Sequence, residues 1–477
     1  MKIESIFRWL VLGVCWGWLA VAAGAETASK AFRAGAATSN VTPPLGTSIN
    51  GGFHDRQATQ IHDELHARCL VLDDGTTQVA LVVVDSCVIG REIFDEAKKM
   101  VQEATGLPME HQLMSATHAH SCGTLQAVGQ SDPDPLYQRF VARRIADGVR
   151  RAWQNLEPAR VAWGVGRVPE HVFNRRWHMK EGGIPPSPLG VTTDQVRTNP
   201  GVNNPLLDHP AGPTDPEVPF LSVRSVDGRP IALYANYSLH YVGGTGPGHI
   251  SADYFGAFAD GIQQRLKADR LDPPFVGMLS NGASGDINNI DFRGGQAKQP
   301  PYGQIRLVAG DVADEVARVH ETLAYQDWVK LGAAQGELKL GVRLPTAGEI
   351  EKAREVMKQS KLYPRMETLE QVYARETVLL GEFPEEVSAP IQVIQIGDRR
   401  LAAIPAEVFV EIGMELRERQ PGSFVVSLAN AYHGYLPTPR HHELGGYETW
   451  RARSSYLEPE ASTKILARVE ELMGQLK

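Results

Sequence analysis

Strand-length runs of apolar residues alternate in this chain with segments whose apolar positions recur at the helical period. Runs at Ala67–Leu72 and Gln78–Val84 predict two strands, and Asp73-Asp74-Gly75-Thr76-Thr77 between them has the turn chemistry of a hairpin. From Arg91 to Ala104, Ile93, Phe94, Ala97, Met100 and Val101 follow the helical spacing, and Leu136–Leu156 repeats it through Phe140, Ile145, Val149 and Trp153. Strand patterns return at Phe220–Val226, Pro230–Ser238, Phe275–Leu279 and Phe424–Leu428, and a hairpin over Ile391–Ile404 turns at Gly397-Asp398. Helices are expected over Tyr254–Ala268, Arg306–His320, Ile350–Leu379, Glu407–Arg419 and Pro459–Leu476. The segment Trp177–Pro219, rich in Pro, Gly and Asn, shows little periodicity, which suggests a functional loop or lid. Alternating strands and helices point to an α/β fold with mixed sheets and flanking helices.

The N-terminus changes the picture. Lys2 and Arg8 precede an apolar run from Trp9 to Ala22, and Ala23-Gly24-Ala25 ends it, the pattern of a cleavable signal peptide cut near Ala25/Glu26. Residues 1–25 are therefore expected to be removed, leaving 26–477 as a secreted or periplasmic protein. The alternative is an uncleaved anchor. Loss of two basic groups and one acid moves the formal charge from −8 to −9. That acidity argues against nucleic acid or an anionic surface as the main partner. Cys69, Cys87 and Cys122 remain, with no Cys-x-x-Cys spacing; buried free thiols are the default, and one disulfide is the alternative.

Candidate chemistry gathers where predicted strands end. Ser115-Ala-Thr-His118-Ala-His120-Ser121 sets two imidazoles two residues apart, and in an extended segment both would face one point and suit zinc. The same spacing also occurs in surface turns. His240 closes the strand before Gly243-Gly244, where α/β proteins tend to bind ligands, although a structural His bonded to backbone also fits. Glu407 is expected in a first helical turn, where an acid ordinarily serves the macrodipole. Asn281-Gly-Ala-Ser284-Gly-Asp286-Ile-Asn288-Asn289 allows backbone N–H groups to turn toward an anion, or forms a plain structural turn.

Taken together, these segments resemble the catalytic domain of the neutral ceramidase family, secreted or membrane-associated zinc amidases that split the N-acyl bond of ceramide. The stretch Ser115–Ser121 is similar to that family's Thr-His-Thr-His-Ser signature, and Phe173-Asn174-Arg175 to its Asn-Arg-Ser element. His240 falls on its strand-ending histidine, with Ser251-Ala-Asp253 downstream. Ile404-Pro-Ala-Glu407 resembles Val-Pro-Gly-Glu, and Asn430-Ala-Tyr432-His-Gly-Tyr435 followed by Tyr447-Glu448 matches Asn-x-Tyr-x-x-Tyr and a later Tyr-Glu. The order agrees across almost the whole mature chain. The resemblance implies a single large ceramidase-like catalytic domain, with no counterpart of the family's C-terminal immunoglobulin-like domain expected here.

It further implies that His118, His240, Glu407 and Tyr435 bind Zn2+, with His120, Arg175 and Tyr447 around the substrate carbonyl. Two neutral imidazoles and one carboxylate leave zinc a net charge of about +1, enough to bring bound water's pKa toward ~7. One departure stands out: Asn288 occupies the position of the family's catalytic serine. An amide donates a hydrogen bond but cannot act as a nucleophile. Attack by metal-bound water without a serine, substitution by Ser284, or loss of turnover are the three outcomes, and the intact ligand set favours the first. The expected partner is a small-molecule or lipid N-acyl substrate, with contact at a lipid surface allowed. A zinc esterase or peptidase, or a non-catalytic metal-containing binding protein, are the alternatives.

Overall fold

In the computed structural model, residues 31–268 and 272–476 are described, so the signal-peptide pattern lies outside the described residues. An eight-stranded mixed sheet runs in the order Val276–Asn281, Pro230–Tyr237, Glu217–Ser225, Glu157–Arg167, Arg33–Asn40, His66–Asp73, Gln78–Val84, Gln112–Ala116. A second sheet has four strands, Leu331–Gly341, Glu386–Ile396, Arg399–Ala403 and Ser423–Val426.

Residue alternation assembles these sheets into four layers. Cys69, Val71, Ala80, Val82 and Val84 face the helices Arg91–Thr105, Pro135–Gln154, Asp253–Arg265 and Gly303–His320. Their neighbours Leu70, Leu72, Leu81 and Val83 face the second sheet, against Ile394, Ile396, Leu401 and Val426. The far face of that sheet, through Ile391, Val393 and Ala402, packs on Ile412 and Leu416 of the helix Val410–Arg419 and on Ile465 and Val469 of Ala461–Gln475. Both faces of these strands are buried, which is why 79–84 reads as an unbroken apolar run. Cys69, Cys87 and Cys122 are buried free thiols.

Within these two sheets most pairs are antiparallel, but three are parallel: Gln78–Val84 with Gln112–Ala116, Pro230–Tyr237 with Val276–Asn281, and Arg399–Ala403 with Ser423–Val426. The large sheet curls until its two edge strands touch, and Asn281 Nδ2 donates to the Thr117 carbonyl at 3.3 Å. The carboxyl ends of all three parallel pairs thereby converge on one crevice, where ligands of α/β sheets characteristically sit.

Several expectations are corrected. The expected helix Ile350–Leu379 is two, Ala347–Met357 and Leu369–Leu380, each started by its own capping box from Thr346 and Thr368, with Pro364 between them. Trp177–Pro219 contains the small sheet of Arg197–Thr198, Arg176–Met179 and Leu207–Pro210, whose strands are too short to show a period. Glu407 is not in a helix: Glu407–Val408 is a short strand, and the helix begins at Val410.

Candidate metal centre

The candidate ligands His118 and His240 follow strand ends, and Glu407 and Tyr435 lie in two short paired strands. His118 and His120 lie beyond Gln112–Ala116, and the extended geometry expected for them is corrected, because His118 has φ +74°, in left-handed backbone. The chain leaves the sheet by bonding Thr117 N to the Val84 carbonyl and His118 N to the Ser86 carbonyl, and that turn brings the rings together. Such strain persists only where the surroundings over-determine it, and it concentrates at functional sites. His240 follows Pro230–Tyr237, and the turn after it is held by the Asp253 carboxylate, which accepts from Val242 N and Gly243 N at 3.0 and 2.8 Å. Glu407 pairs in parallel directly with Tyr435.

These pieces meet in a buried cluster. His118 Nε2 is 3.0 Å from His240 Nε2 and 3.2 Å from Glu407 Oε2, and His240 Nε2 is 4.0 Å from that oxygen. The outer nitrogens fix the tautomers. His118 Nδ1 donates to the Cys87 carbonyl at 2.9 Å and His240 Nδ1 to the Ser284 carbonyl at 3.2 Å, so both Nε2 atoms present bare lone pairs. Two facing lone pairs cannot hydrogen-bond each other, and Glu407 Oε2 is buried without a hydrogen-bond partner. That donor set calls for a positive charge among the three groups, a metal ion or a proton. Tetrahedral zinc with bonds of ~2.0–2.1 Å has ligand-to-ligand edges of roughly 3.3 Å, close to two of the three separations. Without a metal a proton takes that place: burial works to strip it from His118, but Glu407 outweighs burial and the ring is held up at about 10, so Nε2 is bare only when a metal displaces its proton. Burial and the charge on His118 keep His120 and His240 well below the ordinary histidine range.

Around the cluster, the remaining expected residues fall into two groups. His120 stacks on Tyr241, with ring centroids 3.7 Å apart, and its Nε2 is 3.2 Å from His118 Nε2. Arg175 directs Nη1 to within 3.5 Å of His240 Nε2, while its Nη2 donates to the Gly285 carbonyl at 2.7 Å. Tyr435 and Tyr447 stack edge-on at 5.6 Å beside Arg175 and line the same cavity as His118, His120 and Glu407. Asn288 is turned away: its Nδ2 donates to Asn199 Oδ1 at 2.9 Å and its Oδ1 accepts from Ile290 N. The Ser284 hydroxyl is occupied by Asn281 Oδ1 at 2.7 Å, so Ser284 contributes its carbonyl rather than a nucleophile.

Three contributors escaped the sequence reading. Tyr432 donates its hydroxyl to Glu407 Oε1 at 2.9 Å, a grip the same motif offered equally to Tyr435. Glu448, fully buried, accepts from Arg175 Nε at 2.9 Å, Arg176 Nη1 at 2.7 Å and Thr198 Oγ1 at 2.7 Å, anchoring both arginines and the 177–219 segment. Gly51, at φ +93°, lies so close to His120 that a Cβ there would come within 2.4 Å of the ring. A separate group, Asp286, Glu411 and His441, stands beyond the 285–287 turn, where burial and Glu411 push the Asp286 carboxyl up.

No family model matches the chain. A crystal structure of neutral ceramidase from Pseudomonas aeruginosa superposes with a TM-score of 0.70 at 16% identity, covering 94% of this chain and 74% of that one. A structure described as ceramidase complexed with C2 gives the same score and identity, covering 94% and 75%. The fold expected from the motifs is the fold observed: this chain is built as a single large domain on the architecture of neutral ceramidase.

Proposed function

We propose that this chain is an exported zinc-dependent amidohydrolase that cleaves an N-acyl bond with water. The observation that carries the reading is the pair of carbonyl-tethered imidazoles whose bare nitrogens face each other across a buried, unsatisfied carboxylate oxygen. His118, His240 and Glu407 would hold the ion, with Tyr435 completing the set. When bound, zinc supplies the Lewis acidity that lowers the pKa of water toward ~7 and polarises a carbonyl.

The protein's own groups do the rest. Arg175, clamped by Glu448 and the Gly285 carbonyl, donates to the carbonyl oxygen as negative charge develops there. Burial pushes the Tyr447 phenol up, so it stays protonated and donates beside Arg175. His120, neutral at rest and facing the cluster through Nε2, would take the proton released by the attacking water and pass it to the departing amine. Asn288, spent on Asn199 and Ile290, takes no step, and its presence in place of a serine leaves water as the attacking group. A fold shared with neutral ceramidase supports an N-acyl substrate.

Metal analysis combined with activity tests this reading. The purified protein should hold one zinc per chain and hydrolyse a fluorogenic N-acyl amide, and His118→Ala should lose both. Zinc with ester but no amide turnover would make it an esterase, and stoichiometric zinc with no hydrolysis across acyl libraries would make it a binding protein.

A further inference from the structure

Two recesses of opposite character flank His120. One is apolar, walled by Val88, Val128, Val372, Tyr373 and Ala452, and it runs from Glu407 to the helix Leu369–Leu380. The other is polar and glycine-rich, with Arg56, Ser121, Tyr241, Thr245 and Asp253 around Gly243 and Gly244. Arg56 and Gly244 are exposed, so this second recess opens to solvent.

The apolar recess runs up against the helix Leu369–Leu380, and that wall is fastened. Arg453 grips Glu376 of the closing helix with bonds of 2.7 and 2.9 Å, which also neutralises the one carboxylate beside Val372 and Tyr373. Arg375 and Arg453 both donate to the Gly129 carbonyl, at 2.6 and 3.0 Å. Gln130 exchanges two bonds with the Met366 backbone, at 2.9 and 2.7 Å. The apolar recess has a volume of about 70 Å³, against about 260 Å³ in the polar one. At the ~30 Å³ a small group occupies in a condensed liquid, the apolar recess holds roughly two or three.

We infer that the substrate is a short-chain N-acyl derivative of a polar, hydroxyl-bearing amine. The acyl tail, up to about three carbons beyond the carbonyl by that count, fills the apolar recess, and the amine half lies among Arg56, Thr245 and the glycine loop. The inference rests on the hydrolase reading above and narrows its substrate. A long acyl chain would have to break the Arg453–Glu376 and Gln130–Met366 clamps. Each buried methylene should tighten binding about fourfold until the recess is full.

The probes are straight-chain alkyl hydroxamates from two to twelve carbons, titrated calorimetrically into the zinc-loaded protein, alongside hydrolysis of N-acyl glucosamines of the same lengths. Affinity and kcat/KM should climb to an optimum at about three or four carbons and then fall. Val372→Ala should move the optimum to longer chains, and Ala452→Val to shorter ones. N-butanoyl glucosamine should turn over faster than N-butanoyl sphingosine. Affinity rising steadily through twelve carbons, an optimum indifferent to both substitutions, or preference for the sphingosine amide would overturn the inference. A chain-length optimum for hydroxamates with no amide hydrolysed would keep the recess assignment and reject the hydrolase; hydrolysis without any optimum would do the reverse.

Discussion

Replacing Tyr432 by Phe deletes one hydroxyl and leaves the ring in place. That hydroxyl donates to Glu407 Oε1 at 2.9 Å, while the other carboxylate oxygen faces His118 and His240. Burial and the neighbouring Glu407 push the phenol well above its ordinary range, so it is a neutral donor throughout the working pH range. A hydrogen bond to a charged acceptor contributes about 1.5–3 kcal/mol, and in the variant the carboxylate rotates more freely and loses its aim at the ion. At 1.4 kcal/mol per decade, the zinc Kd should weaken by about 10- to 150-fold. Competition with a chromophoric chelator at pH 7 measures this, and far-ultraviolet circular dichroism checks that the fold is kept. An unchanged Kd in a folded Tyr432→Phe protein would refute the claim that Glu407 is a ligand oriented by Tyr432.

Four further outcomes are expected. Gly51→Ala places a methyl group against the His120 ring at a backbone angle that costs an L-residue about 1–2 kcal/mol; it should lower amidase activity at least ~10-fold, within the range lost with a positioned proton donor, while zinc content stays at one per chain. Removing zinc with a chelator should lower stability by about 2.7 kcal/mol relative to protein at a hundredfold excess over Kd, and a calorimetric scan of His240→Ala should show no such difference. Glu448→Gln leaves Arg175 and Arg176 buried without their counter-charge and should cost about 3–5 kcal/mol in urea unfolding. Lys98, 1% exposed, is pushed down to about 8 by burial, so between pH 8 and 10.5 the unfolded chain binds more protons and stability rises with pH across that window. Lys98→Met should therefore stabilise the protein by up to about 3 kcal/mol at pH 7, with the gain fading by pH 10.5, and denaturant titrations at the two pH values check it.

Long apolar runs announced the strands His66–Asp73, Gln78–Val84 and Pro230–Tyr237, and helical spacing announced Arg91–Thr105 and Pro135–Gln154. Three of the long strands were missed: Arg33–Asn40, Glu157–Arg167 and Leu331–Gly341 carry Ala, Gly and charged residues, and they are strands because apolar neighbours cover them. Short motifs marked where His118, His240 and Glu407 stand, since strand ends and glycine turns leave a local trace. How they point did not show. The left-handed turn at His118 is fixed by bonds to Ser86, and the strand at Glu407 by pairing with Tyr435. Glu448 pairs with Arg176 from 272 residues away, and no local pattern encodes such a distance. The choice between Tyr432 and Tyr435 as the phenol on Glu407 was equally hidden, because both belong to one motif and backbone direction alone separates them.

Anomalous scattering at the zinc edge, from a crystal of the purified protein, tests the central claim most directly. The account predicts one strong peak within about 2.1 Å of His118 Nε2, His240 Nε2 and Glu407 Oε2. A density map with no peak there, or with the ion bound by Asp286, Glu411 and His441 instead, would contradict it.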